Sequence, residues 1–285
     1  MTTFDYDAVA AEAGLERVGA RPPLHEYLAQ LWERRQFAFT LSRFRIQAGL
    51  AENRLGLGWV VLRPTLNALM YGLIFGLILP ASSRPPKFIP FLVAGVFIFE
   101  YFSRSLNAGA RAVSSNASLV RSLSFPRMLL PLASVLQQLF ELIPMVTVMC
   151  LIFVFMGEPV TWTWLLLVPV LLLMTLFNLG VALVTARLTV HLHDITQVIP
   201  IITRLLFYSS GIFYSLDLVL DKHQTLLEVA KLNPVYAYIA LVRGVTLSGH
   251  ESPGSLWWVA AIAAVVALAV GVVFFWRAEE RYGRD

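Results

Sequence analysis

Apolar residues in this chain come in long runs separated by short polar breaks, and the run length is the first structural signal. A hydrocarbon core of about 30 Å needs roughly 20 residues of helix at about 1.5 Å each. Six stretches meet or approach that length: Trp59 to Leu79, Phe88 to Leu106, Met128 to Met156, Trp162 to Thr185, Val198 to Ser215 and Leu256 to Trp276. The breaks carry turn chemistry: Pro80-Ala-Ser-Ser-Arg-Pro-Pro after the first, Gly157-Glu-Pro after the third and Ser252-Pro-Gly before the last. The pattern predicts an all-α membrane protein with six transmembrane helices over residues 59–276. Pro131 and Pro144 interrupt the third run and Arg204 the fifth. Residues 1–27 and 277–285 read as tails, and the acidic stretch to Arg35 holds no apolar core of signal-peptide length.

Three segments are neither span nor short loop. Residues 28–58 are too polar to cross and too apolar to float. Phe37, Leu41, Phe44 and Ala48 form one helical stripe, and Phe39, Ile46 and Leu50 a second on the opposite side. Two stripes imply two apolar neighbours, as for an amphipathic interface helix with lipid on one side and protein on the other, or a plain surface anchor. Asn107 to Arg127 reads either as a loop or as a short exposed helix capped by its Ser and Asn residues, with Pro126 suited to a helix start. Leu216 to Gly249, broken at Asn233-Pro234, reads as two short re-entrant half-helices or as an extracytoplasmic surface loop. Non-spanning backbone at membrane depth is tolerated only inside protein or along a cavity.

Composition agrees with the membrane reading. Apolar residues make up 58% of the 285 and charged residues 14%, against roughly a quarter charged in soluble domains. Sixteen Lys and Arg fall in the N-terminal, second-to-third, fourth-to-fifth and C-terminal segments, and five in the intervening links. Positive-inside bias then puts both termini in the cytoplasm. Topology accounts for the net charge of +4, which leaves nucleic acid without support as a partner. The single cysteine, Cys150, excludes an intrachain disulfide.

Candidate chemistry is sparse. None of the three lysines follows glycine, so the chain has no GxxxxGK[ST] phosphate cradle. His191, His193 and Asp194 do not complete a zinc ligand set, and no serine stands in a nucleophile elbow. No catalytic constellation and no cofactor or metal on this chain are expected. Glu100 and Arg104 are spaced to pair on one helical face. Glu141, near Gln137 and Gln138, has no sequence-local cation; it suits an interhelical hydrogen bond, a protonated acid or a proton relay. Tyr71, Phe75, Phe207, Tyr208 and Tyr214 mix aromatic faces with hydroxyls, which suits either sugar stacking or helix packing.

Local motifs carry a resemblance. Arg54-Leu-Gly-Leu-Gly-Trp59 with Arg63-Pro64 resembles the opening of the first span in ABC-2 type permeases. Asn116-Ala-Ser-Leu-Val-Arg-Ser-Leu-Ser-Phe-Pro-Arg127 is similar to their coupling segment, and His193-Asp194-Ile195 through Tyr214 and Asn233-Pro234 to Arg243 match two later stretches. His193 stands where the family often has Arg, and Gly211 where it often has Pro. The resemblance implies a polysaccharide exporter permease of the Wzm or TagG type, most similar to actinobacterial galactan exporters. It implies a homodimer served by two ATP-binding cassette subunits that carry ATP and Mg, with a polyprenyl-diphosphate-linked glycan as cargo. It further implies coupling through Asn116, Leu119, Val120, Arg121, Phe125 and Arg127, and a diphosphate entrance at Arg54 or Arg63. The alternative is a proton-coupled flippase titrating Glu141. A glycolipid enzyme would need an acidic cluster that is not seen.

Overall fold

The computed structural model describes residues 22–52, 55–56, 58–78, 80, 84–192, 194–219 and 223–279, and these are helical with no strand. Helices α1 (Leu24–Glu33) and α2 (Arg35–Glu52) precede α3 (Gly58–Ile78) and α4 (Phe88–Ala110). A 3-10 turn at Ser114–Asn116 and the short α5 (Ala117–Ser122) lead to α6 (Leu129–Phe155). A second 3-10 turn at Trp162–Leu166 runs into α7 (Leu167–His191), followed by α8 (Ile195–Ser209). Three short helices, α9 (Leu216–Val219), α10 (Gln224–Lys231) and α11 (Pro234–Thr246), precede α12 (Ser255–Trp276).

Among the described residues five helices are long and apolar enough to cross a membrane: α3, α4, α6, the Trp162–His191 unit and α12. The expected fifth span, Val198 to Ser215, is α8, which begins at Ile195 and stops at Ser209. Its 15 residues span about 22 Å, short of the hydrocarbon core. The helix ends where Gly211 adopts φ +61°, a left-handed conformation that turns the chain back. Beyond it, α10 and α11 meet at 87° around Asn233-Pro234. Asn233 Oδ1 accepts the Val235 N–H at 3.0 Å and Pro234 occupies the first turn, so this dipeptide starts α11. The stretch expected as one interface helix is two, broken at Arg34, with α1 beginning at Leu24.

Close packing is concentrated along α7 and α12. A Cβ on Gly180 would fall on the backbone of Ala267 and Leu268, and one on Gly271 on Gly180 itself, so the two backbones touch. Gly109 of α4 approaches Ala182 of α7 in the same way. A second apolar cluster gathers Tyr27, Val113, Val120, Met128, Leu183 and Phe275 at the end of the bundle where α1 meets the end of α12.

Candidate functional site

Helices α3, α4 and α8 enclose an open cavity of about 300 Å³ lined by Asn67, Tyr71, Glu100, Arg204, Phe207 and Tyr208, among others. Each helix contributes a strongly polar group, and neither Glu100 nor Arg204 has an ion-pair partner among the described residues. Lipid cannot satisfy such groups, so this face belongs to water, cargo or a second protein surface. The rings form a cluster behind it. Tyr71 lies 5.3 Å from Phe207 and 5.1 Å from Phe213, and Phe75 stacks on Phe213 at 4.4 Å.

The five aromatic candidates therefore divide. Tyr71, Phe207 and Tyr208 meet at the cavity, while Phe75 packs behind them on the buried Phe213. Tyr214 turns away: its hydroxyl donates to the Tyr208 carbonyl at 2.6 Å, and it lines a separate cavity of about 80 Å³ with Asp217, Tyr236, Arg243 and His250.

A second pocket, about 160 Å³, lies between α2, α3, α4 and α6, with Arg45, Arg63, Arg104 and Glu141 in its wall. Arg104 is not held by Glu100, as the spacing on one helix predicts. It reaches across to α6 and pairs with Glu141 Oε2, while Gln137 Nε2 donates to Oε1 at 3.0 Å. A buried carboxylate facing an arginine on another span gains more than one facing a same-helix neighbour across an open cavity. Arg45 Nη1 donates to Ser134 Oγ at 2.8 Å. Three guanidinium groups against one carboxylate leave the pocket cationic. Arg54 lies outside the described residues.

The segment between α4 and α6 lies at the end of the bundle that holds the second apolar cluster. Val120 is buried, Leu119 packs beside it, and Phe125 meets the Phe37 ring at 5.1 Å. Asn116 is half-buried, with Nδ2 donating to the Ala112 carbonyl at 2.7 Å. Arg127 turns inward, its N–H donating to Glu279 Oε1 at 2.9 Å. Of the six coupling candidates, Arg121 alone is fully exposed, as are Ser114, Ser115 and Ser118. Leu123, 52% exposed, is the large apolar side chain presented there. Sequence reasoning missed it because Leu123 follows the short helix in an extended conformation, where helical spacing does not say which side chains point outward.

At the opposite end Arg243 is 4% exposed and has no carboxylate partner among the described residues. Its Nε donates to Phe91 O at 3.1 Å, Nη1 to Gly211 O at 2.9 Å and Nη2 to Ile212 O at 3.1 Å, and the guanidinium sits over the Phe91 ring. Gly95 leaves the space it fills. Asn233 Nδ2 donates to Ser210 Oγ at 3.0 Å, so α11 grips the turn after α8 from both its ends. Nearby, Glu158 pairs with Lys87 at 2.8 Å and accepts from Ser248 N and Oγ. Burial alone would raise the Glu158 carboxyl pKa, but the Lys87 and Ser248 bonds outweigh it and hold the group below the ordinary range.

The chain matches the ABC-2 type transporter family model over residues 36–247. It is similar to an O-antigen export system permease protein RfbA of Myxococcus xanthus, 26% identical over 253 residues that cover 88% of this chain and 96% of the relative. It is also similar to a protein of the same description from Klebsiella pneumoniae, 26% identical over 76% of this chain and 83% of that one. The polysialic acid transport protein KpsM of Escherichia coli is 24% identical over 82% of this chain and 90% of its own length. The match spans α2 through α11, the helices that build the cavity, the cationic pocket and the clamp around Arg243, and the chain belongs to the ABC-2 type transporter family.

Proposed function

We propose that this chain is the permease subunit of an ATP-driven exporter that moves a polyprenyl-diphosphate-linked polysaccharide, a galactan or O-antigen-like glycan, across the inner membrane. The observation that carries the reading is the polar, aromatic cavity between α3, α4 and α8, on a face that lipid cannot satisfy. Two copies with these faces opposed enclose a lumen whose rings stack on sugars and whose amide and charged groups exchange hydrogen bonds with hydroxyls. The relatives' names, O-antigen export and polysialic acid transport, support a glycan as cargo.

Both termini are cytoplasmic, as the Lys and Arg bias requires. The pocket of Arg45, Arg63 and Arg104 then opens near the cytoplasmic interface and receives the diphosphate, with Arg54 adjacent in sequence. With no phosphate cradle in the sequence, ATP and Mg reside on two partner ATP-binding cassette subunits, which press on the segment from Ser115 to Phe125. The α10–α11 pair is the re-entrant element that closes the exit. Glu141 is occupied by Arg104 and Gln137, which favours a bracing role over a proton relay.

The test is reconstitution in liposomes with and without the ATP-binding subunit, scoring glycan protected from an external glycosidase. Export is expected only with that subunit and ATP. Export by the permease alone under a pH gradient would replace this reading with a proton-coupled one.

A further inference from the structure

The Tyr27 hydroxyl sits where three chain segments cross. It donates to Glu279 Oε2 at 2.8 Å and accepts the Met128 N–H at 3.2 Å. Glu279 Oε1 accepts the Arg127 N–H at 2.9 Å. The Arg127 guanidinium donates to the Glu279 carbonyl at 3.0 Å and lies 3.6 Å from the same carboxylate. Trp276 Nε1 donates to the Pro22 carbonyl at 3.0 Å. One carboxylate just past α12 thus holds α1, through Tyr27, and the chain entering α6, through Arg127.

Glu279 is 5% exposed although it belongs to a tail that the sequence leaves in solvent. Burying a carboxylate is unfavourable unless donors surround it, and here they come from two distant segments. The same knot borders the outward segment. Arg34 Nη1 donates to the Ser124 carbonyl at 2.6 Å, and an open cleft of about 220 Å³ lies between α1 and Phe125. The segment from Ser115 to Phe125 is therefore linked to α1 through Ser124 and, through the adjoining Arg127, to the chain just past α12. Only one residue separates α1 from α2, which leads into α3, a wall of the sugar-facing cavity.

We propose that Glu279 is a positioning residue that joins the outward segment, α1 and α12 into one mechanical unit, so that force on the segment reaches α3 through α1 and α2. This rests on the reading above that a motor subunit presses on that segment.

The test uses the full chain with its ATP-binding subunit in proteoliposomes, reading complex assembly, ATP hydrolysis and glycan exported per ATP. Glu279→Gln is expected to assemble and hydrolyse ATP within about twofold of the parent while export per ATP falls about fivefold, with Glu279→Asp recovering at least about half. Tyr27→Phe, which removes one hydroxyl and keeps the ring, is expected to lower export per ATP about twofold. Should Glu279→Gln fail to assemble, Tyr27→Phe decides on the same ratio. Unchanged export per ATP in the assembling variants overturns the proposal, as does a fall in assembly, hydrolysis and export in parallel. Leu123→Glu separates the two readings: if it uncouples while the Glu279 variants do not, only the knot fails; if it too stays coupled, docking on the segment fails.

Discussion

The α7–α12 seam and the α3–α8 face both lie between apolar helices and are packed in opposite ways. Along the seam Gly180 and Gly271 bring two backbones into contact, a geometry in which side chains have been removed so that helices approach. On the other face only 11% of α3 is buried within the chain, against 78% of α4, and its neighbour α8 exposes Ile201, Ile202 and Leu205. Between α3 and α8 the contact with α4 is interrupted by Asn67, Glu100 and Arg204 around an open cavity. In a bilayer, apolar burial does not drive helices together, so close contact and polar satisfaction decide which helices stay fixed. The seam has the close backbone contact of a fixed frame, which α3 lacks on its largely unburied face.

The hardest way to break that contrast is to separate the frame. Gly180→Leu or Gly271→Leu places a branched side chain where another backbone lies, and should cost about 3 kcal/mol or more, read as lost thermal stability of the detergent-solubilised protein. Retention of parental stability would mean that the seam is not the frame. Next comes the clamp at the opposite end. Arg243→Met leaves the carbonyls of Phe91, Gly211 and Ile212 without their donor and should cost about 2 to 3 kcal/mol. Arg243→Lys should rescue little, since an ammonium cannot address three divergent carbonyls as a planar guanidinium does.

Much of this frame is legible in the sequence, and the reasons are physical. Run length located the five long helices because the bilayer fixes a minimum. It overextended the fifth, since Gly211, Ile212 and Phe213 are as apolar as a helix while the backbone at Gly211 turns. Helical spacing brought Glu100 and Arg104 together but cannot see α6, where Glu141 competes for the arginine and wins. The Tyr27–Glu279 bond joins residues 252 apart and leaves no periodic trace. Tyr71, Phe207 and Tyr208 were reachable because aromatic and hydroxyl character is local; which of their neighbours line the cavity depends on how α3 meets α8.

The Arg104–Glu141 pair sharpens the comparison, because it ties α4 to α6 beside the cationic pocket. Glu141→Gln alone should cost about 2 kcal/mol by stranding Arg104, whereas Arg104→Leu with Glu141→Leu should recover most of that loss. Equal losses in the single and double variants would refute a mutual brace. A smaller effect comes from Glu158. Its folded pKa lies below the unfolded value, so its contribution is full above the unfolded pKa and fades as the pH falls through the folded one. Acid titration of thermal stability should therefore show a loss in the parent that Glu158→Gln, already weakened at neutral pH, does not show.

The smallest expected change in stability is at the cavity itself. Glu100→Gln and Arg204→Gln remove charges that have no ion-pair partner among the described residues, so no bond in the frame depends on them, and stability should stay within about 0.5 kcal/mol of the parent. Export is another matter. If α3 and α8 line the path, these groups meet the glycan directly, and losing their hydrogen bonds should slow export severalfold while assembly and thermal stability hold. Were either variant to unfold the protein, its charge would belong to the frame after all. Were both to export at the parental rate, the cargo would pass elsewhere and the polar face would need another occupant.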